Sequence, residues 1–370
     1  PHKGHTGMVI NPKPDLLKIG HYMVGISKLP GFDKPAKLSS NESALGMSPR
    51  AIEAARAVVE DAHLYPEVDT EHLATAIGER FGLQPERMVF GPGSDEILQR
   101  IVNTFVGPGQ ELIHSKNAYM QFPIYAKLAG GTPVAALDRD FHYDVDAILG
   151  CVTERTRIVL VANPDNPSGT HLSASEMRRL HAGLPDNVLL IIDAAYEEFT
   201  LIDDYEPGTK LVHEFDNVIV TRTFSKVYGM AGLRLGWCYG PEWVADLLVK
   251  IGPSFPVNVV AQAAGLAAVA DDEHMQAVLA HNAEWVGRFS AALHNLGLRV
   301  YPSQTNFVLV GFPPDCGKTA ANTNTHLNSQ GIIPRQFAVE AFEDKLRFTM
   351  GLEWEMERAI EVLSNYLMSQ

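Results

Sequence analysis

Between residues 87 and 240 the chain repeats one pattern: a short, mostly apolar run, then a stretch whose apolar positions recur every three or four residues. The apolar runs fall at 87–91, 111–115, 132–137, 157–163, 187–193, 217–224 and 235–240. Helical spacing appears at 94–105, 122–130, 173–184 and 241–252. The runs lack the alternation of a strand with one wet face, so they predict a mostly parallel sheet covered by helices on both sides. Ahead of them, 48–62 and 69–82 read as helices, with Ser48 as N-cap, Pro49 at the first helical position and Gly82 as terminator.

From about residue 258 the pattern changes. Long helical spacing over 257–271 leads into 273–297, then short strands in 298–312 and 345–351, and a last helix over 353–369. This predicts an α/β protein in three parts. Residues 8–45 form an N-terminal arm belonging to the smaller domain, 46–257 a large domain and 258–370 a small α+β domain.

Composition narrows the function. Apolar residues make up 46% of the 370-residue chain, and the net charge is -14 with no basic block. Nucleic acid and anionic membrane are therefore not the expected partners, and no segment has the length and apolarity of a membrane span. Cys151, Cys238 and Cys316 are far apart, without a CxxC pair, so neither a disulfide framework nor a metal centre is expected and a reducing cytoplasm is the natural setting. The seven residues ahead of Met8 read as a processing remnant, their two histidines too sparse for a metal.

The chemistry gathers where the strands end, which is where open α/β sheets bind ligands. After 87–91 comes "GPGSDE", in which Gly91, Gly93, Ser94 and Asp95 open a helix: either a phosphate cup or a plain strand-to-helix turn. After 157–163 the doubled Asn-Pro loop "NPDNPSGT" presents Asn166. After 187–193 comes "DAAYEEF", where Asp193 is either a helix cap or a poorly hydrated carboxylate in need of a cation, with Tyr196 three residues on. After 217–224 come Ser225 and Lys226, then Gly229, Gly232 and Arg234. Alone, such a lysine reads as solvated surface.

Together these groups meet the needs of one cofactor, pyridoxal 5'-phosphate. It requires a lysine for an imine with its aldehyde and an aspartate that keeps its ring nitrogen protonated. It also needs donors for its phosphate and ring hydroxyl, and an aromatic face, which "NAYMQF" supplies in Tyr119 and Phe122.

In the order "KLSSNESALGMSP", "LYPEVD", "GPGSDEIL", "NPDNPSGT", "DAAYEEF", "TFSKVYGMAGLRLG", "TNFVLV" and "LRFTMG", the chain resembles the fold-type I aminotransferases over nearly its whole length. Within them it is most similar to the histidinol-phosphate aminotransferase family. The resemblance implies that Lys226 is the Schiff-base lysine and proton shuttle, that Asp193 pairs with the pyridinium, and that Asn166 and Tyr196 hold the ring oxygen. Gly93, Ser94, Asp95, Ser225 and Arg234 would surround the phosphate, joined by Tyr65 from a second subunit of a homodimer, and Tyr119 would stack on the ring. Arg347 would pair with a carboxylate of donor or acceptor and Arg335 with the distal phosphate of histidinol phosphate, with Tyr22 and Asn41 nearby. The acceptor would be a keto acid such as 2-oxoglutarate.

Two stretches depart from the family pattern. "NESA" at 41–44 stands where "NENP" is usual, and "QFAVEAFEDK" after Arg335 is apolar and acidic. Glu340, Glu343 and Asp344 would weaken a phosphate site if they faced inward, and Phe337 and Phe342 would suit an aromatic amino donor. Alternative readings are a related lyase, such as a threonine-phosphate decarboxylase, and a non-enzymatic regulatory domain that binds the cofactor.

Overall fold

The computed structural model describes residues 13, 16–17, 19–20, 26–66, 70–313 and 317–369. Its strands, in chain order, are β1 (Ala36–Leu38), β2 (Met88–Gly91), β3 (Glu111–Ser115), β4 (Thr132–Ala136), β5 (Asp138–Arg139), β6 (His142–Tyr143) and β7 (Thr156–Ala162). There follow β8 (Leu189–Asp193), β9 (Val218–Thr223), β10 (Gly236–Tyr239), β11 (Arg299–Val300), β12 (Phe307–Gly311), β13 (Ile332–Gln336) and β14 (Lys345–Thr349).

All seven apolar runs form one sheet, in the order β2-β10-β9-β8-β7-β3-β4. Strands β9, β8, β7, β3 and β4 are parallel, while β10 runs antiparallel to both neighbours. Every residue of β8 and β9 is buried, as expected of strands covered on both faces. The helices lie where the spacing places them. Ser48 caps Pro49–Val58 by accepting from the Ala51 N–H, and Gly82, at φ 68°, ends Glu71–Phe81. The spacing over 48–62 overran, since the α-helix stops at Val58 and one 3-10 turn follows.

The second sheet runs β1-β13-β14-β12-β11, antiparallel except where β1 joins β13. Part of the arm is thus a strand of this sheet. One face of the sheet packs Leu38, Ile332, Leu346 and Phe348 with Trp285 and Phe289 of the helix Asp272–Asn295. The long helical stretch is two helices, Val259–Val269 and Asp272–Asn295, divided where Asp271 caps the second through the His274 N–H. Among the described residues no helix is long and apolar enough to cross a membrane.

Candidate active site

Register lines up the carboxyl ends of the central strands. Asp193, the last residue of β8, lies opposite Ala162 of β7 and Thr221 of β9, and Thr223 at the end of β9 lies opposite Gly236. The chain turns there into the loop that carries Ser225 and Lys226. Next to this edge the helix Ser94–Phe105 begins, with Gly93 as N-cap at φ 93°. A Cβ at Gly93 would collide with the Arg234 guanidinium, and one at Gly236 would overlap the Ser94 backbone N. The glycines thus let an arginine and a helix N-terminus close over one point, an arrangement suited to an anion.

Two adjoining chambers meet here. The smaller, of about 160 Å³, is lined by Ser94, Asp95, Asp193, Ser225 and Arg234. The larger, of about 400 Å³, is lined by Asn41, Arg335 and Arg347 with Phe337 and Phe342. Tyr119, Asn166, Tyr196 and Lys226 line both. The half-buried Lys226 Nζ sits 5.4 Å from the centroid of the Tyr196 ring, at the junction.

Inside the smaller chamber Asp193 is buried and accepts a hydrogen bond of 3.1 Å from Thr221 Oγ1. Burial, and then the neighbouring charge of Asp95, push its carboxyl up to about 7, while the Thr221 bond and the Lys226 ammonium pull the other way. Asp95 Oδ1 accepts from Tyr125 Oη at 2.6 Å. Ser225 Oγ accepts from Thr223 Oγ1 at 3.0 Å and from Arg234 Nη1 at 3.4 Å.

The larger chamber is closed by the second sheet. Arg335 on β13 and Arg347 on β14 are cross-strand partners, each only 6% exposed. Arg347 donates to Asn166 Oδ1 at 2.5 Å and to the Ser39 carbonyl at 3.0 Å, which ties the two sheets together. Asn41, at φ 57°, donates to Tyr196 Oη at 2.8 Å and accepts from Thr349 Oγ1 at 3.0 Å. Glu340, Glu343 and Asp344 are exposed, and among the described residues no carboxylate lines this chamber.

Tyr65, expected at the site of a second subunit, does not line the chambers of its own chain. Tyr65 is 81% exposed and stacks on Phe255 at 4.4 Å, away from both chambers. Tyr22 lies outside the described residues. Sequence reasoning missed Thr221, whose link to Asp193 depends on β8–β9 register, and it missed Lys37, Ser39 and Ser40, which also line the larger chamber. Their only signal was their place in "KLSSNESA".

Residues 33–363 match the family described as aminotransferase class I and II. The chain is 48% identical over 356 residues to the histidinol-phosphate aminotransferase of Rhodospirillum centenum, covering 96% of this chain and 98% of that protein. It is 44% identical over 360 residues to that of Maricaulis maris, covering 97% and 99%. Among solved structures it is similar to the histidinol-phosphate aminotransferase of Sinorhizobium meliloti in complex with pyridoxal-5'-phosphate. That likeness has a TM-score of 0.83 and 30% identity over 90% of this chain and 91% of the other. Fold, strand-end chemistry and sequence agree: the chain belongs to the class I and II aminotransferases.

Proposed function

We propose that the protein is a pyridoxal 5'-phosphate-dependent aminotransferase that takes an amino group from histidinol phosphate and passes it to 2-oxoglutarate. The observation that carries this reading is the meeting of two chambers at Lys226, with a buried carboxylate on one side and two buried arginines on the other.

The residues present fit the cofactor. A buried aspartate pushed up to about 7 is costly to ionise alone, and a cationic ring nitrogen would relieve it. The helix N-terminus at Ser94, the Ser225 hydroxyl and Arg234 form a cup for a phosphate. Lys226 would hold the group covalently, with Asp193, Asn166 and Tyr196 around its ring and Tyr119 against its face. Gly93, Ser94, Asp95, Ser225 and Arg234 would surround its phosphate. Tyr65 would come from the partner subunit of a homodimer.

When bound, the cofactor supplies an electron-accepting ring that weakens the bond from the donor's Cα to hydrogen. Lys226 Nζ, once the donor's amine had taken its place on the group, would be the free amine that accepts that proton and, as its conjugate acid, returns it. Asp193, buried in the smaller chamber, would keep the ring nitrogen protonated. Arg335 and Arg347 hold the anionic end of the substrate, and their planar forks suit a phosphate or a carboxylate equally, as a site serving donor and acceptor in turn requires. Phe337 and Phe342 provide an apolar wall for a flat side chain. Glu340, Glu343 and Asp344 face outward and bring no negative charge to the chamber wall, which favours the phosphorylated donor over one selected by the aromatic wall alone.

A single half-reaction tests the donor. Cofactor-loaded protein mixed with L-histidinol phosphate, without a keto acid, should lose its visible absorption band rapidly. Persistence of the band, with bleaching by phenylalanine or tyrosine instead, would replace histidinol phosphate with an aromatic amino acid.

A further inference from the structure

Besides Arg335 and Arg347, the second sheet turns Lys37 to the larger chamber. Lys37 of β1 lies opposite Ile333 of β13, and residues paired across strands share a face, as do residues two apart along one strand. Arg335 is therefore on the same face as Lys37, and Arg347 lies opposite Arg335 on the next strand. Lys37, Arg335 and Arg347 form a diagonal row across three strands, and all three line the same chamber. The positions flanking Lys37, Ala36 and Leu38, point to the other face and are buried in the apolar cluster behind the sheet. Register, not chance exposure, turns Lys37 toward the site.

Lys37 is held by a single carboxylate. Its Nζ pairs with Glu42 Oε1 at 2.5 Å, and the two side chains are 30% and 45% exposed. A pair so open to water contributes little net stability, so exchanging the carboxylate for another anion costs little.

We propose that Lys37 is a specificity-determining residue that binds the dianionic end of the substrate beside Arg335 and Arg347, with Glu42 holding its ammonium until the ligand arrives. The proposal rests on the reaction given above. Lys37, Arg335 and Arg347 are like charges along one wall of the chamber and repel one another, and a dianion placed among them relieves that repulsion while Glu42 turns to solvent.

The test uses the full, cofactor-loaded chain and two variants of opposite sign. Calorimetric titration with inorganic phosphate should show affinity weakened about fivefold in Lys37→Met and strengthened in Glu42→Gln. Lys37→Arg should stay near the parent, which separates charge from packing. The KM for histidinol phosphate should move in the same directions. Parent protein that binds no phosphate, or unchanged affinity in both Lys37→Met and Glu42→Gln, overturns the proposal. A parent that binds phosphate yet ignores histidinol phosphate refutes the donor, and the titration still decides the role of Lys37.

Discussion

At the scale of single residues, Asp193 carries the sharpest consequence. Its carboxyl is pushed from the ordinary 3.8 up to about 7, first by burial and then by Asp95. Between those values the cofactor-free folded chain keeps a proton that the unfolded chain has released. Stability from this group is complete below about pH 4, falls as pH rises to about 7, and is level above that. Asp165, also buried and pushed up to about 7, acts in the same direction. Burial raises Glu197 and Glu355 as well, so Asp193→Asn removes only one of several such contributions. The melting temperature of this variant, measured without cofactor, should therefore decline less than the parent's between about pH 4 and 7. Parallel curves would show that Asp193 is not the titrating group. With cofactor, the same substitution should cut turnover roughly a hundredfold or more, because an amide cannot hold the ring nitrogen's charge.

At the scale of elements, what could be read from the sequence followed burial. The central strands were legible because burial on both faces leaves mostly apolar residues in runs such as "IVLVA" and "LLII". Short or polar elements were not. β1 has three residues, too few for a period, and β13 contains Pro334, which argues against a strand. The helix Ala320–Ser329, "AANTNTHLNS", is rich in residues that favour turns and buries only Ala320, Thr323 and Leu327. Gly229 could be seen in the sequence as part of a loop, but its reason could not. At φ 69° it packs where a Cβ would strike the backbone of Gly46 and Met47, so the loop after Lys226 is seated on the segment that follows Asn41.

At the scale of the molecule, the first sheet's strand ends announced their chemistry, whereas the way the second sheet closes the site did not. Lysine, aspartate, asparagine and tyrosine each follow an apolar run and could be collected by position. Lys37, Arg335 and Arg347 become one cationic row only through the pairing of strands almost three hundred residues apart. The exposed Tyr65, stacked on Phe255, has no role in its own chain's chambers, which fits a second subunit receiving it. Sedimentation of the purified protein should then give twice the 40.6 kDa chain mass, and a monomer would remove Tyr65 from the site. Both chambers meet at Lys226, the residue proposed to hold the cofactor. Borohydride reduction of the cofactor-loaded protein, followed by mass spectrometry of its peptides, tests this most directly. A pyridoxyl group should appear on the peptide bearing Lys226 and be missing from Lys226→Ala. Label on a different lysine, or equal labelling of the variant, would contradict it.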